Sequence, residues 1–543
     1  MRVLVIDALA RASGEKYTTF DVVGAGPRLV TGYLNQLGVQ TDLKTYEFVM
    51  NNPRIIDNYD IVLISAMITD NVAVNKLLPL LKDHITIIGG PISLDFYHIL
   101  SQKTIPDLVI VGEGEYQLNA LFTKYLKNLL ERNFDELCLV KGLAFRVNNK
   151  IVFTGFPDYT PKHILNSIKP YTHVDKSYEN PWYRRFYVEV LRGCSNFCRP
   201  LIKVDKSRTC IKCMQCRSPS LVERLACPRG IYPGCGFCSV PFLFGPPRSR
   251  SVEQIVTEIK ELINHGARRI VLSAPDFLDY GREYLVENEI LTDPCNPPPN
   301  INAIKYLLEK LNEIPEIESR EVIVFIENVK ACLVNSNVAK ILGQYLKGTT
   351  IHIGLETCSD EYNNYIIGKP ITKKHVFNAI RLLKEAGLRP YVYIIYGLPY
   401  MDDKVYYETI ECIPKLYSEG VEKITLYKFI PLPFTSFENY KPVISKYSNL
   451  INELKHLIAK HNSKRKRELI GSTIKAYIIK TNTGIYGYPV LHGPVIVVNK
   501  RSYNKVLSRL TEETTCLANI RITGIGNRVV YGDVVSIEKC FGH

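Results

Sequence analysis

Apolar positions in this chain follow two rhythms, and the rhythm changes along its length. In the first 165 residues, short and nearly unbroken apolar runs alternate with stretches whose apolar residues recur every three or four positions. Strands are predicted over 3–6, 60–65, 85–88 and 108–111. Helices are predicted from Gly24-Ala25-Gly26-Pro27 to about Leu37, over 71–81, and after Gly112-Glu113-Gly114-Glu115. Unbroken apolar strands separated by helices give a parallel sheet covered on both faces, so 1–165 reads as an α/β domain of Rossmann-like type. Glycines at the strand ends (Gly89, Gly90, Gly112) serve tight turns, and equally let a ligand lie close to the backbone.

Beyond a strand at 187–191 the alternation resumes, with strands at 269–272, 321–326, 351–355, 390–396 and 423–429. Helices at 252–264, 301–313, 331–346, 371–386 and 403–418 lie among them. Six such units predict a partial (β/α)6 barrel of TIM type over 186–440, with chemistry at the carboxyl ends of its strands. Those ends hold Asp276, Glu327, Glu356 and the run Tyr396-Gly397-Leu398-Pro399. Carboxylates at such positions need a partner. The rhythm then shortens. After a helix at 449–459, strands at 473–479, 489–498, 516–522 and 529–537 predict a small β-barrel over 469–543, reached through a basic helical linker at 441–468.

Length agrees with several domains, since 543 residues exceed one ordinary core. With 46% hydrophobic and 22% charged residues the chain is neither disordered nor fibrous. Of the formal net charge of +14, residues 441–543 supply +11, from 17 Lys and Arg against 6 Asp and Glu. A polyanion is therefore expected at that end, with Lys464, Arg465, Lys466, Arg467 and Arg521 as its contacts. No window of about 18 apolar residues and no leader-like start is present, so no membrane span and a cytoplasmic location are expected.

Cysteine is just as uneven. Eight of fifteen fall within 194–238, at Cys194, Cys198, Cys210, Cys213, Cys216, Cys227, Cys235 and Cys238. In a reducing compartment this clustering favours metal over disulfide. The other seven read as ordinary small buried residues. Three thiolates on one loop suit an iron–sulfur cube with one iron left open.

The sequence Cys235-Gly-Phe-Cys238-Ser-Val-Pro, followed by Gly245-Pro246-Pro247-Arg248 and a strong helix, resembles the radical SAM superfamily. The runs Gly354-Leu355-Glu356, with Gly368-Lys369-Pro370 after it, and Gly397-Leu398-Pro399 are similar to its SAM-cradling segments. The resemblance implies a [4Fe–4S] cluster that reduces S-adenosylmethionine (SAM) and generates a 5′-deoxyadenosyl radical, with ferredoxin or flavodoxin as electron donor. It further implies that Glu327 and Glu356 position the methionine or ribose portion, that Gly397, Leu398 and Pro399 line the adenine, and that Asp276 stands near the amine. The family's Cys-x3-Cys-x2-Cys spacing is not kept. Local spacing favours Cys227 as the first ligand, at Cys-x7-Cys-x2-Cys, and Cys194, directly after a strand and Arg192-Gly193, is the alternative. Cys198, Cys210, Cys213 and Cys216 then form a four-thiolate set for structural zinc or a second iron–sulfur cluster, with Cys194 or Cys227 to spare.

Two further resemblances complete the picture. Ile88-Gly89-Gly90-Pro91 with Asp107-Leu108-Val109-Ile110-Val111-Gly112 resembles the cobalamin-binding-type domain in front of many radical SAM enzymes, although Asp-x-His-x-x-Gly is missing. Cobalamin without a histidine ligand and a scaffold without cobalamin are both open. Ala518-Asn519-Ile520-Arg521-Ile522 with Tyr531-Gly532-Asp533-Val534-Val535 resembles the TRAM domain of tRNA methylthiotransferases, which implies RNA binding. The expected function is radical SAM methylation or methylthiolation of RNA, tRNA above all. The alternative is the same chemistry on a lipid or small metabolite, and the third reading is a non-catalytic, zinc-stabilised RNA-binding protein.

Overall fold

The computed structural model describes residues 1–14, 16, 20–287 and 289–542. The chain forms two compact units, Met1–Val188 with Glu253–Ala267, and Glu189–Val252 with Arg268–His543.

The first unit is built on a seven-stranded sheet, in the order Gln40–Thr45, Arg2–Asp7, Ile61–Ser65, Ile85–Gly89, Leu108–Ile110, Leu143–Val147, Lys150–Phe153. The first five strands run parallel and the last two antiparallel. Val3, Leu4, Val5 and Ile6 are all fully buried although they alternate between faces, because helices cover both sides. The edge strand Gln40–Thr45 has no such run, since only its inward positions Thr41 and Leu43 are buried, and periodicity did not mark it. Helix Val252–Asn264 belongs to this unit from its second residue on. Its Glu258 Oε1 takes a 2.7 Å ion pair from Arg28, both side chains being almost fully buried. Arg28 also donates to the carbonyls of Tyr171 and Tyr187.

The second unit holds an open parallel α/β barrel. Strand Arg269–Ser273 pairs with Ile323–Ile326, and Asn328–Val329, Thr350–Glu356, Arg389–Tyr396 and Lys423–Lys428 pair in sequence order. The break between the two sets falls at Glu327. Helices Ile301–Asn312, Ser336–Leu346, Lys373–Glu385 and Asp403–Ser418 are each capped by a side chain, from Asn300, Asn335, Thr372 and Asp402. Such caps satisfy backbone donors that the first helical turn leaves open.

Helix Ser448–Arg467 follows, so the run from Lys464 to Arg467 is its last turn. The chain ends in a closed five-stranded barrel, ordered Thr473–Thr481, Gly484–Pro489, Val495–Val498, Val529–Phe541, Thr515–Ile525. The single strand expected at 489–498 is the last residue of one strand and the whole of the next, divided where Gly493 and Pro494 turn the chain. Arg389 ties this barrel to the larger one, pairing with Glu422 and donating to the carbonyls of Leu491 and His492.

Six of the seven cysteines read as plain core residues are instead bonded in pairs, Cys295–Cys332, Cys358–Cys412 and Cys516–Cys540. The partners lie 24 to 54 residues apart and meet only through the fold, which is why spacing did not reveal them. Cys138 is exposed, and the eight cysteines of 194–238 are all unbridged. Among the described residues, no helix is long and apolar enough to cross a membrane.

Candidate metal centre and its charged surround

The long cysteine-rich segment is closed at its base by a short antiparallel ribbon. Leu191 pairs with Ser249 and Arg192 with Arg248, and the Cys194 amide donates to the Gly245 carbonyl at 3.0 Å. Gly193 makes the approach possible. Its φ is +90°, and a Cβ there would lie 2.2 Å from the Pro246 carbonyl oxygen. The ribbon therefore returns the far end of the segment to its start. As a result Cys194, not Cys227, stands with Cys235 and Cys238, and each of these two interacts electrostatically with Cys194. Local spacing pointed to Cys227 because it could not register a fold-back of some forty residues. Cys227 instead acts electrostatically on the guanidinium of Arg199, as do Cys216, Cys198 and Cys213.

The three grouped thiols are held in place by Asn196. Its side-chain amide donates to Cys235 Sγ at 3.3 Å and to the Gly368 carbonyl at 3.1 Å, and its backbone N–H points to Cys194 Sγ at 3.5 Å. Gly236 packs so tightly on the buried ring of Phe437 that a Cβ would come within 2.6 Å of it. Burial raises all three thiols, and mutual repulsion adds to it at Cys235 and Cys238, with Cys238 pushed up to about 12. Three partly desolvated sulfurs that act on one another and resist ionisation on their own are the donor set a cation stabilises.

Charged groups flank the thiols on both sides. Asp276 and Asp279 follow strand Arg269–Ser273, and Lys330 follows Asn328–Val329. Lys330 Nζ lies 2.5 Å from Asp279 Oδ2, 3.0 Å from Asp276 Oδ2 and 2.9 Å from Ser195 Oγ, next in sequence to Cys194. Arg282 pairs with Asp279 as well. Burial opposes the charge on Lys330, but the two carboxylates outweigh it and hold the amine above its usual range. Burial raises Asp276, whereas Lys330 and Arg282 overcome burial at Asp279 and lower it. The Asp276 Oδ2 atom is fully buried and makes no in-line hydrogen bond.

On the other side, Lys369 Nζ donates to Glu356 Oε1 at 2.6 Å and to the Gly354 carbonyl at 2.8 Å, and acts electrostatically on Cys235. Glu356 ends its strand with φ +65°, a left-handed conformation costly for a residue with a Cβ. Such strain persists where surrounding contacts over-determine it, and it concentrates at functional sites. Two disulfides brace these loops. Cys332 follows Lys330 by two residues, and Cys358 follows Glu356 by two. Lys330, Ser195 and Asn196 carry no motif and were missed in the sequence. The only pointer to them was their position next to a cysteine or a strand end.

The other expected residues are placed as follows. Glu327 is half-buried beside Tyr427, and its carbonyl accepts from His352 at 2.7 Å. Gly397 has φ +77° and its N–H donates to Tyr406 Oη at 3.2 Å. Leu398 is buried in the core with Tyr406 and Phe437, and the Pro399 carbonyl accepts from Tyr362. At the basic end, Lys464, Arg467 and Arg521 are exposed. Arg465 pairs with Glu468, and Lys466 is spent on the carbonyls of Gly526 and Asn527.

Comparison with known proteins agrees with this geometry. The model of the Radical SAM superfamily matches residues 226–413. The chain is 37% identical to "Uncharacterized protein MK0932" of Methanopyrus kandleri, over 98% of this chain and 96% of that protein. It is 38% identical to "Uncharacterized protein MJ1620" of Methanocaldococcus jannaschii, over 92% and 93%. Among solved structures, the radical S-adenosylmethionine methyltransferase TsrM of Kitasatospora setae, with cobalamin and a [4Fe-4S] cluster bound, shares the fold at a TM-score of 0.54 and 12% identity, covering 80% of this chain and 74% of that one. Thiols gathered at the strand ends of an open α/β barrel agree with the matched model, and this chain, which belongs to one family with the MK0932 and MJ1620 proteins, carries a radical SAM superfamily domain over residues 226–413.

Proposed function

We propose that Cys194, Cys235 and Cys238 hold a [4Fe–4S] cluster against which SAM binds, and that the enzyme modifies a small molecule. The observation that carries the reading is the grouping of three half-buried, mutually repelling thiols with N–H donors aimed at two of them. Three ligands leave one corner of a cube open. A cluster bound there supplies the electron that breaks the sulfonium bond of SAM, once an external donor such as ferredoxin or flavodoxin has reduced it. The chain's own part is orientation and exclusion of water. Lys330 and Lys369 place cations near the thiols, suited to a carboxylate, and Asp276, whose Oδ2 already pairs with the Lys330 ammonium, suits a second ammonium. Glu356, paired with Lys369 at its strand end, acts electrostatically on Cys235 and Cys238.

The likeness to TsrM, also solved with tryptophan and a SAM analogue, supports a small-molecule substrate, and it supports a corrinoid in the first unit. The missing Asp-x-His-x-x-Gly means that such a corrinoid takes no histidine from that pattern. Anaerobic protein given SAM and a one-electron reductant is expected to release 5′-deoxyadenosine or to transfer the labelled methyl group of SAM. The Cys194→Ala, Cys235→Ala and Cys238→Ala variants lose both activities. If each variant retains activity, the reading fails.

A second reading, RNA as substrate, rests on the surplus of +11 in 441–543 and on exposed Lys464, Arg467 and Arg521. Methyl label from SAM, followed in cell extract separated by size, discriminates the two. Label in the low-mass fraction supports the small molecule, and label in RNA supports the second reading.

A further inference from the structure

Within the first unit, helix Val252–Asn264 runs out at His265 and the chain leaves it through Gly266, whose φ is +93°. The amides of Gly266 and Ala267 donate to the carbonyls of Ile263 and Leu262 at 3.0 and 2.9 Å and close the helix end. Gly266 also packs on Pro181 and Trp182, so closely that a Cβ would lie 3.1 Å from each. His265 is thereby fixed against the stretch that precedes Pro181.

That stretch alternates in burial. Thr172, Val174, Ser177 and Tyr178 are buried, while His173 and Asp175 are exposed. Thr172 Oγ1 donates at 2.9 Å to Glu261, one helical turn before His265, and Tyr178 Oη donates at 3.0 Å to buried Asp7. These anchors hold His173 and Asp175 beside His265. Asp175 Oδ1 lies 3.0 Å from His265 Nδ1, and the rings of His173 and His265 stand 4.5 Å apart, centroid to centroid. One nitrogen of each ring and one carboxylate oxygen all fall within 4.8 Å of one another. A plain ion pair needs only Asp175 and His265. The second imidazole, brought to the same spot, is what a shared cation explains.

We infer that His173, Asp175 and His265 form a zinc site on the first unit, with water completing the coordination. Two imidazoles and one carboxylate are the mixed set that borderline divalent ions take, whereas calcium and magnesium ask for oxygen ligands. Of those borderline ions, zinc binds such donors more tightly than iron or manganese and brings no redox chemistry to an exposed surface. Bonds of about 2.0–2.2 Å place neighbouring donors about 3–3.5 Å apart. The Asp175–His265 pair already has that separation, and the exposed His173 ring reaches it by turning about its own side-chain bonds. Asp175 and nearby Glu261 supply two negative charges against the two of the ion. The ion acts as a clip. It joins the end of Val252–Asn264 to a part of the unit that lies far earlier in the sequence.

Equilibrium dialysis of the full chain, purified anaerobically, against micromolar Zn2+ tests the site. Thiols elsewhere take up zinc too, but to the same extent in each protein compared, so the difference reports this site alone. The wild type is expected to hold about one zinc per chain more than His173→Ala or His265→Ala, and Asp175→Ala to bind that zinc at least about tenfold more weakly. Equal zinc in the wild type and both histidine variants overturns the inference. Anomalous diffraction at the zinc edge, from wild-type crystals grown with Zn2+, locates the ion without any variant, so a misfolded variant does not decide the matter. A peak bonded to all three side chains is expected, and its absence there overturns the inference. A peak with no matching difference in dialysis is binding at crystal concentration only and overturns it as well.

Discussion

The Asn196 side chain donates to the sulfur of Cys235 at 3.3 Å across 39 residues of sequence, from a position two residues past Cys194. One amide thus reads the separation between two of the three grouped thiols. Asn196→Leu should keep the thiols but lose this bond. Iron content is expected to stay near the wild-type value, while the potential of the bound cluster becomes more negative and SAM cleavage falls roughly tenfold. A redox titration followed by electron paramagnetic resonance, alongside product assays, checks both.

Lys330 neutralises two buried carboxylates at once. Lys330→Met leaves Asp276 and Asp279 with Arg282 alone, at an expected cost of about 3–5 kcal/mol. Adding Asp279→Asn should recover part of that loss, because the uncompensated charge is removed. Chemical denaturation of the single and double variants measures the coupling.

The left-handed backbone at Glu356 separates two contributions of one residue. Glu356→Ala and Glu356→Gly both remove the partner of Lys369, but only glycine relieves the backbone. Glu356→Gly should therefore be more stable than Glu356→Ala by about 1 kcal/mol, with SAM binding impaired in both. Thermal unfolding together with equilibrium SAM binding distinguishes strain from lost contact.

The terminal barrel has its own acid dependence. Hydrogen bonds from Arg501, Asn499 and Ser502 outweigh slight burial and lower Asp533 from 3.8 to about 2. A carboxylate lowered on folding stabilises the folded state fully above its unfolded value and loses that contribution as pH falls through its folded one. The difference in thermal midpoint between wild type and Asp533→Asn should hold steady down to about pH 4 and shrink toward pH 2. Unfolding curves at successive pH values test the sign.

The parallel sheets were legible in the sequence because strands buried on both faces must be apolar throughout, as Val3–Ile6 shows by alternating faces without losing burial. Gln40–Thr45 was not, because an edge strand buries only alternate residues and resembles a loop. Helix Ser448–Arg467 was cut short for a related reason. Its last turn is Lys-Arg-Lys-Arg, which carries no apolar rhythm, although cations suit a helix carboxyl end. At the site, Cys235 and Cys238 announce themselves by adjacency. Cys194 comes to them only because the ribbon at Leu191–Ser249 folds the chain back, and no spacing rule contains that event. Lys330 was invisible because a single lysine near a strand end carries no signature until the fold surrounds it with acids.

The membership of Glu253–Ala267 in the first unit has a consequence for how that unit can be handled. A fragment cut after residue 188 would lack the helix that supplies Glu258. It would strand Arg28 in the interior with two carbonyls and no acid, and leave bare whatever Ile255, Ile259 and Leu262 cover. The unit is thus not autonomous along the chain. To graft it, truncate it or exchange it with that of a relative, two separated stretches of sequence must travel together.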